Sequence, residues 1–169
     1  MNEFLIVLLS IVGIGGFAAQ KSAPPVSQSP HDNYDLYTLA RTIWGEARGE
    51  GYQGMVAVAN VIMNRYEQAR NSIGKARQFG STVADICQKP YQFSAWNVNN
   101  PNLNRMLNVT ESNQQFAQAL SIAAKALAGN LSDITNGADH YHTGGVSPSW
   151  SRGRQTVANI GSHKFFYLA

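Results

Sequence analysis

Two helical segments in series, hinged at Gly49 and Gly51, constrain this chain more than any other feature of its sequence. The second runs from Gln53 to about Gln68 and is apolar nearly all round, at Met55, Val56, Val58, Ala59, Ile62, Met63 and Tyr66. A helix without a polar face must be covered on every side, so this one belongs at the centre of a domain. Its β-branched residues also permit a strand, but its length favours a helix. Before it, Leu36, Leu39, Ala40, Ile43, Trp44 and Ala47 recur at the spacing of one helix face, with Asp32–Asp35 offering caps. Asn60 and Asn64 share a face of the second helix, four residues apart.

The segments that follow must supply the cover. Residues 71–80 read as a loop, and Ser81 or Thr82 caps a short helix through Val83, Ile86 and Cys87. Lys89 to Asn108, with two prolines and six asparagines, reads as irregular. A long helix is expected from about Glu111 to Leu127, facing inward with Phe116, Leu120, Ala123 and Leu127. Asp139–Thr143 reads as a strand, and Gln155–Asn159 with His163–Tyr167 as a hairpin. The expected class is α+β, mainly helical, with a small antiparallel sheet near the C-terminus.

Residues 4–19 form an uncharged apolar stretch closed by Gln20 and Lys21. It fits the core of a signal peptide and is near the lower limit for spanning a bilayer. No Lys or Arg precedes it, and Gly13, Gly15 and Gly16 weaken it as a permanent anchor, so a cleaved signal and a releasable anchor both stay open. Either reading exports the domain to the periplasm or cell envelope, with contact to the inner membrane through residues 4–19. A Pro/Ser-rich linker follows at 21–34, and one domain is expected over 35–169.

Thirteen basic against ten acidic residues give a net charge of +3, with no run of five or six bases. A nucleic-acid partner is therefore not expected. The single cysteine, Cys87, excludes an internal disulfide and reads as a core residue. A monomer without a cofactor is expected.

Few residues offer chemistry. Glu46 falls at the margin of the first helix's apolar stripe, where burial disfavours the charged form of a carboxyl and suits it to protonating a leaving oxygen. The competing role is an acid that reaches solvent or pairs with Arg41 or Arg48. Glu50 is the cheapest second carboxylate for a paired-acid site, or simply a helix-end acid. Tyr91, Gln92, Phe93, Ser94 and Trp96 mix aromatic faces with short hydrogen-bonding groups, as sugar binding requires; alternatively they pin a long loop. His140 and His142 would share one strand face, a spacing that can bind zinc with His163 or Asp139, although hydrogen-bonded histidines are the commoner case. Phosphate loops, dinucleotide fingerprints and the Gly-x-Ser-x-Gly elbow do not occur.

Leu39-Ala-Arg-Thr-Ile-Trp-Gly-Glu-Ala-Arg-Gly-Glu-Gly51 resembles the opening motif of the cell wall hydrolases typified by the spore cortex-lytic enzyme SleB. The likeness continues through Gly54–Arg65, Ser81–Ile86, Gln92-Phe-Ser-Ala-Trp96, Gly137–His142 and Ile160–Phe166. It implies a lysozyme-like or lytic-transglycosylase-like domain that cleaves peptidoglycan between N-acetylmuramic acid and N-acetylglucosamine. It makes Glu46 the catalytic acid, with Gln92, Phe93, Ser94, Trp96, His140, Tyr141 and His142 as substrate-binding residues and no metal. A muramidase using water, a metal-dependent amidase and a non-catalytic peptidoglycan-binding module remain alternatives. The separate binding repeats common in spore-type members are not seen, which fits an envelope autolysin or a phage lysis enzyme.

Overall fold

A computed structural model describes residues 30–168. Expectations for the signal or anchor segment, and for all of the linker before Pro30, lie outside the described residues. Among those described are six α-helices and three strands: α1 (Pro30–Ala47), α2 (Gly51–Asn71), α3 (Ile73–Phe79), α4 (Val83–Gln88), α5 (Leu103–Asn108), α6 (Gln114–Leu127), β1 (His140–Thr143), β2 (Ala158–Ile160) and β3 (His163–Phe166). This is the mainly helical α+β domain expected, with a three-stranded antiparallel sheet in the order β1-β3-β2.

α2 runs through the centre because it is covered from two sides. Met55, Val56, Val58, Ala59 and Ile62 join the main core with residues of α1, α4 and α6. On its other side Ala57 and Val61 pack against Ala138 and Phe165 of the sheet region. Asn60 and Asn64 tie the loop before β1 to this helix. Asn60 accepts from Ile134 N–H at 3.0 Å, and Asn64 donates to the Ala138 carbonyl at 2.9 Å.

The structure departs from the sequence reading in several places. α1 starts at Pro30, a residue suited to a first helical position, and Asp35 instead accepts from Ala84 N–H at 2.8 Å, capping α4. Residues 73–79, expected as loop, form α3, because Ser72 caps its start and Gly80 at φ 129° ends it. The irregular stretch contains α5 and a 3-10 turn, Ser94–Trp96. α6 starts at Gln114 behind the cap Asn113, and its buried face carries Phe116, Ala119, Ile122, Ala123 and Ala126. Leu120 is only half-buried and Leu127 is at the exposed limit, because small alanines let α6 lie close against α1 on a rotated face.

Candidate active site

Glu46 sits in the last turn of α1, half-buried, at the edge of a cleft of about 610 Å³. The preceding residue, Gly45, brings the 3-10 turn close, since a Cβ there would stand 2.6 Å from Ala95 Cβ. The approach lets Ala95 N–H donate to Glu46 Oε1 at 2.7 Å, with Ser94 Oγ donating to the same oxygen at 3.2 Å. From the opposite wall, Tyr141 on β1 donates its hydroxyl to Oε2 at 2.9 Å. Three donors from two distant segments therefore fix one carboxylate. Burial, then the charge of Glu46 and the hydrogen bond to it, push the Tyr141 hydroxyl well above its ordinary pKa, so it stays protonated as a donor. The competing ion pairs are not made: Arg48 stacks over Trp44 at 4.5 Å, and Arg41 lies over Tyr37 and Phe116.

Gln92, Ser94, Tyr141 and His142 line the cleft with Glu46, joined by Arg65, Tyr91, Asn97, Thr143 and His163. Arg65 is 4% exposed, a guanidinium between the Phe79 and Phe93 rings. It donates Nε to the Asp139 carbonyl at 2.6 Å and Nη1 to Gln92 Oε1 at 2.9 Å. It thus joins the loop before the 3-10 turn to the start of β1. Burial pulls its pKa down, opposed by Tyr141 and Asp139. Its sequence signal is its place at the end of the Gly54–Arg65 stretch of the family likeness, while the hydrophobic pattern passes over it.

Three of the expected substrate contacts do not line this cleft. Phe93 is 1% exposed in the core, under Arg65. Trp96 donates Nε1–H to Thr42 Oγ1 at 2.8 Å and borders a neighbouring hollow instead of the cleft. His140 donates Nδ1–H to the fully buried Asp139 at 2.8 Å and packs against Phe79 and Trp150. His140 and His142 do share a sheet face, where His142 stacks on Phe166 at 5.1 Å. His163 lies across the sheet beside Tyr141, and among the described residues no three His, Cys, Asp or Glu gather as a metal site.

Glu50 is spent on structure. Its carboxylate accepts Ser162 N–H at 2.8 Å and Ser162 Oγ–H at 2.7 Å, pinning the β2–β3 turn to the start of α2. These donations hold its carboxyl below the ordinary value, against burial and with help from His163 at 3.9 Å. Gly161, at φ 58°, leaves room for Oε2, and Gly54 leaves room for the Glu50 Cβ. Burial pushes the Cys87 thiol up to about 12, which makes it an inert core group.

A helical lysozyme-like domain with one carboxylate held in an open cleft defines the class of a lysozyme-type cell wall lytic enzyme. The sequence pattern of the cell wall hydrolase family matches residues 49–166, beginning just after Glu46, and the chain belongs to that family. The spore cortex-lytic enzyme of Bacillus cereus is 28% identical over 161 residues, 90% of this chain and 54% of that protein. That of Bacillus subtilis strain 168 is 29% identical over 140 residues, 79% of this chain and 37% of its own length. The chain thus spans about half the length, or less, of these relatives. The catalytic domain of the B. cereus SleB protein superposes with TM-score 0.61 at 26% identity, covering 89% of this chain and 99% of that domain. The catalytic domain of the germination-specific lytic transglycosylase SleB from Bacillus anthracis gives 0.60 at 28%, covering 85% and 100%.

Proposed function

We propose that the chain cleaves peptidoglycan glycan strands between N-acetylmuramic acid and N-acetylglucosamine as a lytic transglycosylase, with Glu46 as its single acid and base. One observation carries the reading: among the described residues lining the cleft, Glu46 is the only carboxylate. A hydrolase that activates water customarily uses a second carboxylate within about 5–10 Å of the first. The nearest candidate in sequence, Glu50, is engaged by Ser162. Intramolecular attack by the muramic 6-hydroxyl needs no second carboxylate, because the group that gives its proton to the leaving oxygen can take one back.

The hydrogen bonds support one route for the proton. Oε1 faces a backbone N–H that can only donate, at 2.7 Å, so the acidic proton rides on Oε2. There the Tyr141 hydroxyl, at 2.9 Å, can turn from donor to acceptor as the proton arrives and leaves. Oε2 protonates the bridging oxygen while an oxocarbenium-like centre develops at the muramic carbon. The anionic carboxylate then removes the 6-hydroxyl proton, closing a 1,6-anhydro ring. Gln92 and His142 would hold sugar hydroxyls and acetamido groups. The substrate lies outside the cytoplasm, which agrees with residues 1–20 acting as an export signal or anchor and the residues before Pro30 as a linker to the catalytic domain, whose first helix takes in residues 30–34 of the expected linker.

Mass spectrometry of muropeptides released from purified sacculi tests the reading. Products lighter by one water than reducing-end fragments are expected. Reducing ends would make the chain a muramidase, stem peptides lost on chelation an amidase, and binding without release a non-catalytic module.

A further inference from the structure

Tyr91 is 93% exposed and Val98 is 94% exposed, and Tyr91 lines the rim of the Glu46 cleft. The backbone of Tyr91 is also unusual. Gln92 N–H donates to the Lys89 carbonyl at 3.1 Å, closing a turn with Pro90 and Tyr91 at its corners, and Tyr91 takes φ 64°. That position ordinarily belongs to Gly or Asn, since a Cβ in the left-handed region is strained. A ring so exposed recovers little of that strain through packing. The turn therefore holds a large aromatic face in solvent against its own conformational preference, a pattern that marks binding positions.

The ring stands between two depressions. Tyr91 and Asn97 line both the Glu46 cleft and a hollow of about 470 Å³, so the two adjoin. The hollow adds Trp96, whose orientation is locked by its bond to Thr42, together with Val98 and the amide of Asn99. Its one charged lining group, Lys89, has its ammonium on the Arg77 carbonyl at 2.9 Å. Aromatic faces interleaved with amides, and no carboxylate, suit a neutral ring with an apolar C–H face and an acetamido group.

We propose that Tyr91 and this hollow form a stacking subsite that extends the Glu46 cleft and takes an N-acetylhexosamine ring of the same glycan strand, beyond the sugars at the scissile bond. The inference rests on the glycan-cleaving reading of that cleft. Tyr91 is here a specificity-determining residue: it favours long strands over short fragments.

The test uses the full chain in a Glu46→Gln background, with the N-acetylglucosamine hexamer and dimer as probes and calorimetry as the readout. Tyr91→Gly is expected to weaken hexamer binding about tenfold while leaving dimer binding unchanged. Its thermal midpoint should stay level or rise, because glycine relieves the strained turn; Tyr91→Trp should keep hexamer affinity. An unchanged hexamer affinity in Tyr91→Gly, an equal loss for both probes, a fallen midpoint, or no hexamer affinity in the parent would each overturn the subsite. Failure of the cleavage reading is seen separately: the unsubstituted chain releases nothing from sacculi while the Tyr91-dependent hexamer affinity persists.

Discussion

Gly45→Ala is the substitution that most sharply couples packing to chemistry. The added Cβ would stand 2.6 Å from Ala95 Cβ and 2.8 Å from Met106 Sδ, where ordinary contact begins at 3.4 Å. Met106 can swing aside. Ala95 cannot, because its Cβ is fixed to the backbone of the 3-10 turn, which reaches ordinary contact only by retreating about 0.8 Å. A retreat along the Ala95 N–Glu46 Oε1 line stretches that bond from 2.7 Å to about 3.5 Å, beyond a sound hydrogen bond. Overpacking costs about 1–3 kcal/mol. At roughly 3–4 °C per kcal/mol for a domain of this size, a cost of about 2 kcal/mol lowers the thermal midpoint by about 6–8 °C. A carboxylate displaced by about 1 Å loses on the order of 10- to 100-fold in turnover. Gly49→Ala is the control, in the same motif, with nothing within 4 Å of its added Cβ. Thermal unfolding and muropeptide release should separate the two variants on both readouts. A Gly45→Ala chain with its midpoint within a degree of the parent and turnover within twofold would refute the idea that this glycine exists to let the turn reach Glu46.

Glu50→Gln should destabilise the domain without halting turnover, since Glu50 holds Ser162 and does not line the cleft. Because the folded carboxyl lies below 4.5, the parent's advantage is full above about pH 5 and fades as pH falls through the depressed value; chemical denaturation against pH reads this directly. Arg65→Lys should cost about 2–4 kcal/mol, because a single ammonium cannot serve the Asp139 carbonyl and Gln92 together while filling the space between two phenylalanines. Urea unfolding measures that loss. Cys87 should resist a thiol reagent in the native protein and react stoichiometrically once denatured, as absorbance would record.

The centre of the fold is legible in the sequence because it rests on burial. An all-round apolar segment can sit only in the middle, and the α1 stripe points to its partner. What escapes a sequence reading depends on contacts between distant segments. α3 has too short an apolar pattern to declare itself, and its caps, Ser72 and Gly80, look like loop residues until a helix stands between them. The hydrophobic pattern misplaces the face of α6 by about one residue, because leucine outranks alanine in any such pattern, whereas close helix packing selects the small residue. Within the site, spacing locates Glu46 and the His140–His142 strand, but whether an aromatic faces a sugar or the core is decided by its partners. Phe93 goes inward beneath Arg65, while Tyr91 stays outside on a strained turn. Arg65 is passed over because the hydrophobic pattern of its helix gives no place to a buried base.

The central claim, that one carboxylate gives and takes the proton, is tested most directly by Glu46→Gln in the full chain digesting purified sacculi. The amide keeps the side chain's size and an acceptor for Ala95 N–H, so binding to sacculi and the unfolding midpoint should be retained while anhydro-muropeptide release falls by at least about 10³-fold. Anhydro products released at more than a tenth of the parental rate would contradict the account and move the acid to another residue of the cleft.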